Sequence, residues 1–203
     1  MNRDDQASYE GCQVSLFPIY LCNCTQLWGA GTLSHQVGYC TDWGMTSGYP
    51  VYAPFDCHLI WQSSASTGNT RIYTSDDKVW TPNGLTYVTV SFTHDNNPPT
   101  KTSYKQGEII YHSGTAGQVT GAHLHLDASP VANDFLTDPH IAGQSWYLSK
   151  DRPPTEIFYL VGDENIINMR GLEFETWKDS PVTHSSFKWW YARLLIERRR
   201  GNG

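Results

Sequence analysis

Two histidines stand two residues apart in GAHLHLD, residues 121–127. In a strand, side chains i and i+2 share a face. His123 and His125 therefore project together, while Leu124 and Leu126 point to the other side, into a core. An H-x-H pair alone is more often a surface feature than a site, so what matters is whether other donors converge on it. His35 and Asp42 lie in SHQVGYCTDWG, and His94 closes a short run in SFTHDN. Histidine nitrogen and carboxylate oxygen are ligands that zinc takes, and a catalytic zinc keeps three protein ligands and a water. The ion acidifies that water and polarises a scissile carbonyl. An unligated histidine then serves as general base or steadies the oxyanion.

The elements that must position these residues read as strands. The chain is β-rich between residues 13 and 150, with Val14–Leu21, Tyr49–Ile60, Arg71–Tyr73, Val79–Trp80, Leu85–Thr93 and Glu108–His112 as runs of strand-forming residues. Gly, Asn, Asp and Pro clusters separate them, Asn96-Asn97-Pro98-Pro99 most clearly. Asp151-Arg152-Pro153-Pro154 reads as a domain edge, dividing residues 1–150 from 151–203. Beyond it, SSFKWWYARLLIERRR predicts a helix over Ser185–Arg200, with its basic residues at the C-terminal end where the helix dipole favours them.

At 203 residues the chain is long enough for one well-buried domain with room for an appendage. The net charge of −6 argues against a nucleic-acid or polyanion binder. No apolar run approaches the roughly 18–20 residues of a membrane span. MNRDDQASYEGC has no apolar core, so no classical signal peptide is expected, and a protein of this kind that acts outside a cell leaves by lysis or within a particle. Cys12, Cys22, Cys24, Cys40 and Cys57 allow two disulfides with one left over, or five thiols. Cys22-Asn-Cys24 is too closely spaced for an easy mutual bridge and offers a soft-metal site. The simpler reading is small buried thiols in a β-rich core.

With these motifs in order, the sequence resembles the lysostaphin/LytM-type zinc endopeptidases that cleave peptidoglycan, over roughly residues 24–130. The family has an early His and Asp, a G-x-P-V-Y-A strand, a mid-chain His, and a G-x-x-G-x-S/T-G-x-x-H-x-H stretch. Here these read His35, Asp42, GYPVYAPFD, SFTHDN and YHSGTAGQVTGAHLHLD, and TSYKQGEIIYHSGTAG is similar to the run that precedes the last of them. The resemblance implies a small antiparallel β-sheet domain with a groove walled by loops, Zn2+ held by His35, Asp42 and His125, and His94 and His123 as unligated catalytic histidines. It implies a peptidoglycan peptide as substrate.

The first His and the Asp are usually four apart in this family, and here they are seven apart, with Tyr39 at the usual place of the acid. Tyrosine is a poor zinc ligand, so Asp42 is taken. CTQLWGAGTLSHQVGYCTDWG is similar to the longer-gapped members encoded by phages and carried at tail tips, which implies a virion location or release to the cell wall at lysis. The extension 151–203 matches no known wall-binding module; it wraps the core, packs a subunit, or joins phage tail proteins. His58 reads as a surface strand residue and His112 as structural at the groove border, while His140 and His184 carry no assignment. Asp127 either orients an imidazole or caps its strand. Trp189-Trp190 reads as packing, and Arg198–Arg200 as a solvated helix end. Two other classes stand beside the enzyme: a non-cutting wall-peptide binder of the same fold, and a structural particle component whose metal site is closed by four ligands, with Cys40 available as the fourth.

Overall fold

Strand-forming stretches such as RIYTS, TVSFT and HLHLDAS assemble a seven-stranded sheet. Its order is Ser103–Tyr104, Cys57–Gln62, Arg71–Ser75, Thr89–Thr93, His123–Ser129, Thr41–Gly44, Cys24–Gln26, and every neighbouring pair is antiparallel. The computed structural model describes residues 7–20, 23–28, 35, 38–136, 147–161 and 166–168. The mainly β, antiparallel class expected from the sequence is what the chain adopts.

Alternation along each central strand divides the sheet into two faces. Leu124, Leu126 and Ala128 point to one side, where they meet Trp43, Phe92, Val90 and Tyr73 from the neighbouring strands. With Phe17, Phe55 and Phe158 these form the main core, and all of them are buried. Burying each such leucine or phenylalanine is worth roughly 1.5–3 kcal/mol. The opposite face is polar and buried as well. It carries Asp42, His125 and Thr93 along one rung, and Asp127 and Ser91 along the next. Residues 133–136 and 147–151 lie over part of this face. Asp134 accepts from the backbone N–H groups of Ser149 and Lys150 at 3.0 and 2.8 Å, and Leu148 packs on Ile72 beside Trp61 and Phe135.

Local chemistry breaks three predicted runs. Leu85–Thr93 splits: Gly84–Thr86 folds back on Val79–Thr81, and Thr89–Thr93 enters the large sheet. The break lies at Val88, whose backbone bonds to both the N–H and the hydroxyl of Ser75. Tyr49–Ile60 bends between Pro50–Tyr52, which pairs with Ile109–His112, and Cys57–Gln62. The buried amide of Gln106 fastens that bend by donating to Pro54 O at 2.7 Å. Val14–Ile19 is buried and, among the described residues, meets its neighbours through isolated bridges, Val14 to Trp80 and Leu16 to Tyr159.

Past residue 151, Pro154–Ile157 forms one helical turn with proline at its start. Ile157 and Phe158 enter the main core, and Tyr159–Val161 pairs with Ile166–Asn168. The helix expected over Ser185–Arg200 lies outside the described residues, as does Cys22. Among the described residues, Cys12, Cys24, Cys40 and Cys57 form no disulfide with one another, and the last three are buried. No helix among the described residues is long and apolar enough to cross a membrane.

Candidate metal centre

Strand register brings the first two predicted ligands together. His125 stands directly across from Asp42, with His125 Nδ1 2.9 Å from Asp42 Oδ1. His123 stands across from Gly44, and its Nε2 is 3.6 Å from the same oxygen. A Cβ at Gly44 would lie 2.5 Å from Thr25 Cγ2, so the exposed Thr25 side chain would have to turn aside to admit one. The other oxygen of Asp42 is 3.2 Å from His35 Nε2. The His35 and His125 rings meet edge to face, centroids 5.1 Å apart. One carboxylate thus lies beside three imidazoles.

His94 arrives from the next strand. Thr93 pairs with His125, and the chain then turns through a positive φ of 94° at His94. Such a backbone costs a non-glycine residue about 1–3 kcal/mol unless its surroundings hold it. Here His94 N donates to Gly68 O at 2.7 Å, and Ala116 N donates to His94 O at 3.0 Å. The ring Nδ1 donates to Ala116 O at 2.8 Å. Gly114 presses on the same carbonyl, and a Cβ there would lie 2.2 Å from His94 O. The result sets the His94 ring 4.3 Å from that of His123 and 6.1 Å from that of His125.

The imidazoles differ in electrical surroundings. Burial pushes His94 down to about 4, with the neighbouring His123 and His125 adding to the effect against its bond to Ala116. It is therefore neutral near pH 7, with its proton on Nδ1 and Nε2 left as acceptor. His123 Nδ1 likewise bonds Gly121 O at 2.8 Å, which frees its Nε2. Burial disfavours charge on His125, but Asp127 and Asp42 outweigh it and push His125 up. Asp127 Oδ2 sits 3.3 Å from His125 Nε2. Burial likewise opposes charge on Asp42, yet His125 and His35 hold it well below the usual carboxylate range. Without an ion, a proton on His125 takes the place of a cation between two carboxylates.

His35 is the strongest sign that a cation belongs here. It is 0% exposed, and among the described residues neither ring nitrogen has a hydrogen-bond partner; Asp42 is close but not aligned. An unmet buried polar group costs about 1–3 kcal/mol. Donor atoms of His35, Cys40 and His125 lie within 4.8 Å of one another, the group among the described residues arranged to hold an ion. With Asp42 beside them, two imidazoles, a carboxylate and a thiol make a donor set that suits a divalent transition ion.

All five sequence-predicted residues, His35, Asp42, His94, His123 and His125, meet at this one place. Tyr39 does not join them: it is exposed, its ring packs on Trp28, and its N–H is donated to the Asp151 carboxylate. His58 pairs with Asp76 at the surface, 2.7 Å away. His112 Nδ1 lies 3.1 Å from Asp95, which also accepts from the backbone N–H groups of His112 and Asn97, a staple for the loop after His94. Sequence reasoning missed Gly114 and Gly68, whose contacts fix His94 and come from chain segments remote from it.

No protein-family model matches the chain. Morphogenesis protein 1 of Bacillus phage B103 is 37% identical over 121 residues, which is 58% of this chain and 32% of that protein. The chain thus spans about a third of the length of the curated relative it matches. Among solved structures, LytU is 20% identical with a TM-score of 0.46, covering 66% of this chain and 82% of its own. The catalytic domain of the antimicrobial peptidase lysostaphin from Staphylococcus simulans is 18% identical with a TM-score of 0.44, covering 65% and 86%.

Proposed function

We propose that the chain is a zinc metalloendopeptidase that hydrolyses peptide bonds in the stems or cross-bridges of bacterial peptidoglycan. The observation that carries this reading is the Asp42 carboxylate set between His35 and His125, with a second pair of imidazoles, His94 and His123, beside it. His35, Asp42 and His125 are the residues that hold the ion. A divalent ion there supplies Lewis-acid chemistry, polarising a carbonyl and acidifying water.

The remaining work falls to the protein's own groups. His94 and His123 each commit Nδ1 to a backbone carbonyl, so each presents Nε2 for proton transfer. His94, neutral at physiological pH, takes a proton from the attacking water. His123 steadies the developing oxyanion through an Nε2–H, a role that requires both of its ring nitrogens to carry protons, since Nδ1 donates to Gly121 O. Asp127 holds the far nitrogen of His125 and so fixes which nitrogen faces Asp42. The substrate peptide lies at the edge of the buried polar face, over the half-buried rings of His94 and His123.

The phage morphogenesis relative supports a place in a virion, for wall penetration, or release at lysis. In that setting the segment 151–203 serves as attachment to phage tail proteins. The test is mass spectrometry of muropeptides released from purified sacculi of several bacterial types, with and without chelator. Chelator-sensitive fragments carrying a new free amine, absent with His94→Ala, are expected. Silence of the zinc-loaded protein on every wall type would overturn the peptidase reading and leave a binding or structural role.

A further inference from the structure

We infer that Cys40 is a fourth protein donor to this centre, so that its resting form is closed by sulfur. The inference rests on the metal-centre reading above and adds a brake to it. Cys40 precedes Asp42 by two residues where the Thr41–Gly44 strand begins, so the two side chains fall on the same face. On the partner strand His125 pairs with Asp42, and Asp127 follows two residues on, on that same face. Cys40 is 4% exposed, and its sulfur lies within 4.8 Å of donor nitrogens on both His35 and His125. Ligands around one tetrahedral ion at bond lengths near 2.0–2.3 Å stand roughly 3.5 Å apart, so only a small inward movement is needed.

His35 supplies the independent sign that a ligand is due on this side. It is fully buried, and both of its nitrogens lack a hydrogen-bond partner among the described residues. Two imidazoles, a carboxylate and a thiolate make a closed set for zinc, cobalt or cadmium. A hydrolytic centre leaves one position open to substrate. With Cys40 in that position substrate meets a filled centre, and cleavage proceeds as the substrate carbonyl or water displaces the sulfur, so the thiolate slows the reaction without abolishing it.

Cobalt(II) is the probe, added at one equivalent to the metal-free full chain. Thiolate bound to cobalt absorbs in the near ultraviolet by charge transfer, which nitrogen and oxygen ligands do not reproduce. We expect one bound cobalt and this band in the native protein. The band should be absent from both Cys40→Ser and Cys40→Ala, and chelator competition should show binding weaker by about 10- to 100-fold. One bound cobalt without the band in the native protein overturns the assignment and needs no variant to fold. A band that survives in both variants also overturns it, since another thiol is then the donor. A native protein that takes up no cobalt refutes the metal centre itself, and the Cys40 assignment with it.

Discussion

Gly114→Ala separates the two halves of the site, because its effect passes through His94 and His123 and not through the ligands. A Cβ at this position would stand 2.2 Å from His94 O, 3.0 Å from Asn96 N and 3.1 Å from Asp95 Cα, where ordinary contact begins at 3.4 Å. About 1.2 Å must be absorbed at the carbonyl, by subtraction of those distances, and all three neighbours are backbone. His94 O is also the acceptor for Ala116 N, and Gly114 exchanges backbone bonds with His123 at 3.1 and 3.2 Å. The displacement is therefore shared by the two unligated histidines. Moving a reacting group by about 1 Å costs on the order of 100-fold in rate. Overpacking of this kind costs about 1–3 kcal/mol, or roughly 2–12 °C in Tm for a chain of this size. The assay measures zinc per chain and the cleavage rate of a soluble cross-linked muropeptide, well below the variant's Tm. Full zinc occupancy with about a 100-fold slower rate is expected. A rate close to native, or zinc lost along with the rate, would refute the reasoning.

His125→Ala and Asp42→Ala should each abolish stoichiometric metal binding, while Tyr39→Phe retains it; elemental analysis after dialysis reads this directly. His94→Ala and His123→Ala should keep the metal and slow cleavage by about 10²- to 10⁴-fold, in muropeptide kinetics. Asp127→Asn should weaken zinc by about 10- to 100-fold in chelator competition, because the far nitrogen of His125 loses its carboxylate. Tm against pH for the metal-free protein should peak near neutrality. His94 has a folded pKa of about 4, below the 6.5 of a free histidine, so its contribution declines as pH falls from 6.5 through 4. His125 is raised from 6.5 to about 10, so its contribution is complete below 6.5 and declines as pH rises through 10. Zinc loading replaces the His125 proton and should flatten the alkaline limb; an unchanged limb would show that His125 is not a ligand.

The shared face of His123 and His125 was legible because strand alternation is local. So were the ligand types, and Asp42 was chosen over Tyr39 on chemistry alone. The pairing of His125 with Asp42 was not legible from periodicity, since it is set by register between strands 83 residues apart. The same holds for the break at Val88, which depends on Ser75 reaching back from the adjacent strand. His94 was marked by its place at a strand end, but its positive φ depends on carbonyls and glycines near residues 68 and 114–117. Asp127 stood equally as a strand cap or an orienting group; the 3.3 Å contact to His125 exists only once the strand is paired and its polar face covered.

Every second residue of HLHLDAS faces the chemistry, and the residues between face the core. A slip of one position along either neighbour would exchange the two sets, pressing imidazoles against Trp43 and Phe92 and turning leucines toward Asp42. A misaligned chain therefore forfeits its packing and its reactivity together. The population of molecules is divided into whole ones and inert ones, so unfolding by heat or denaturant should extinguish catalysis and tertiary signal along a single curve, with no well-folded but mispaired species between them.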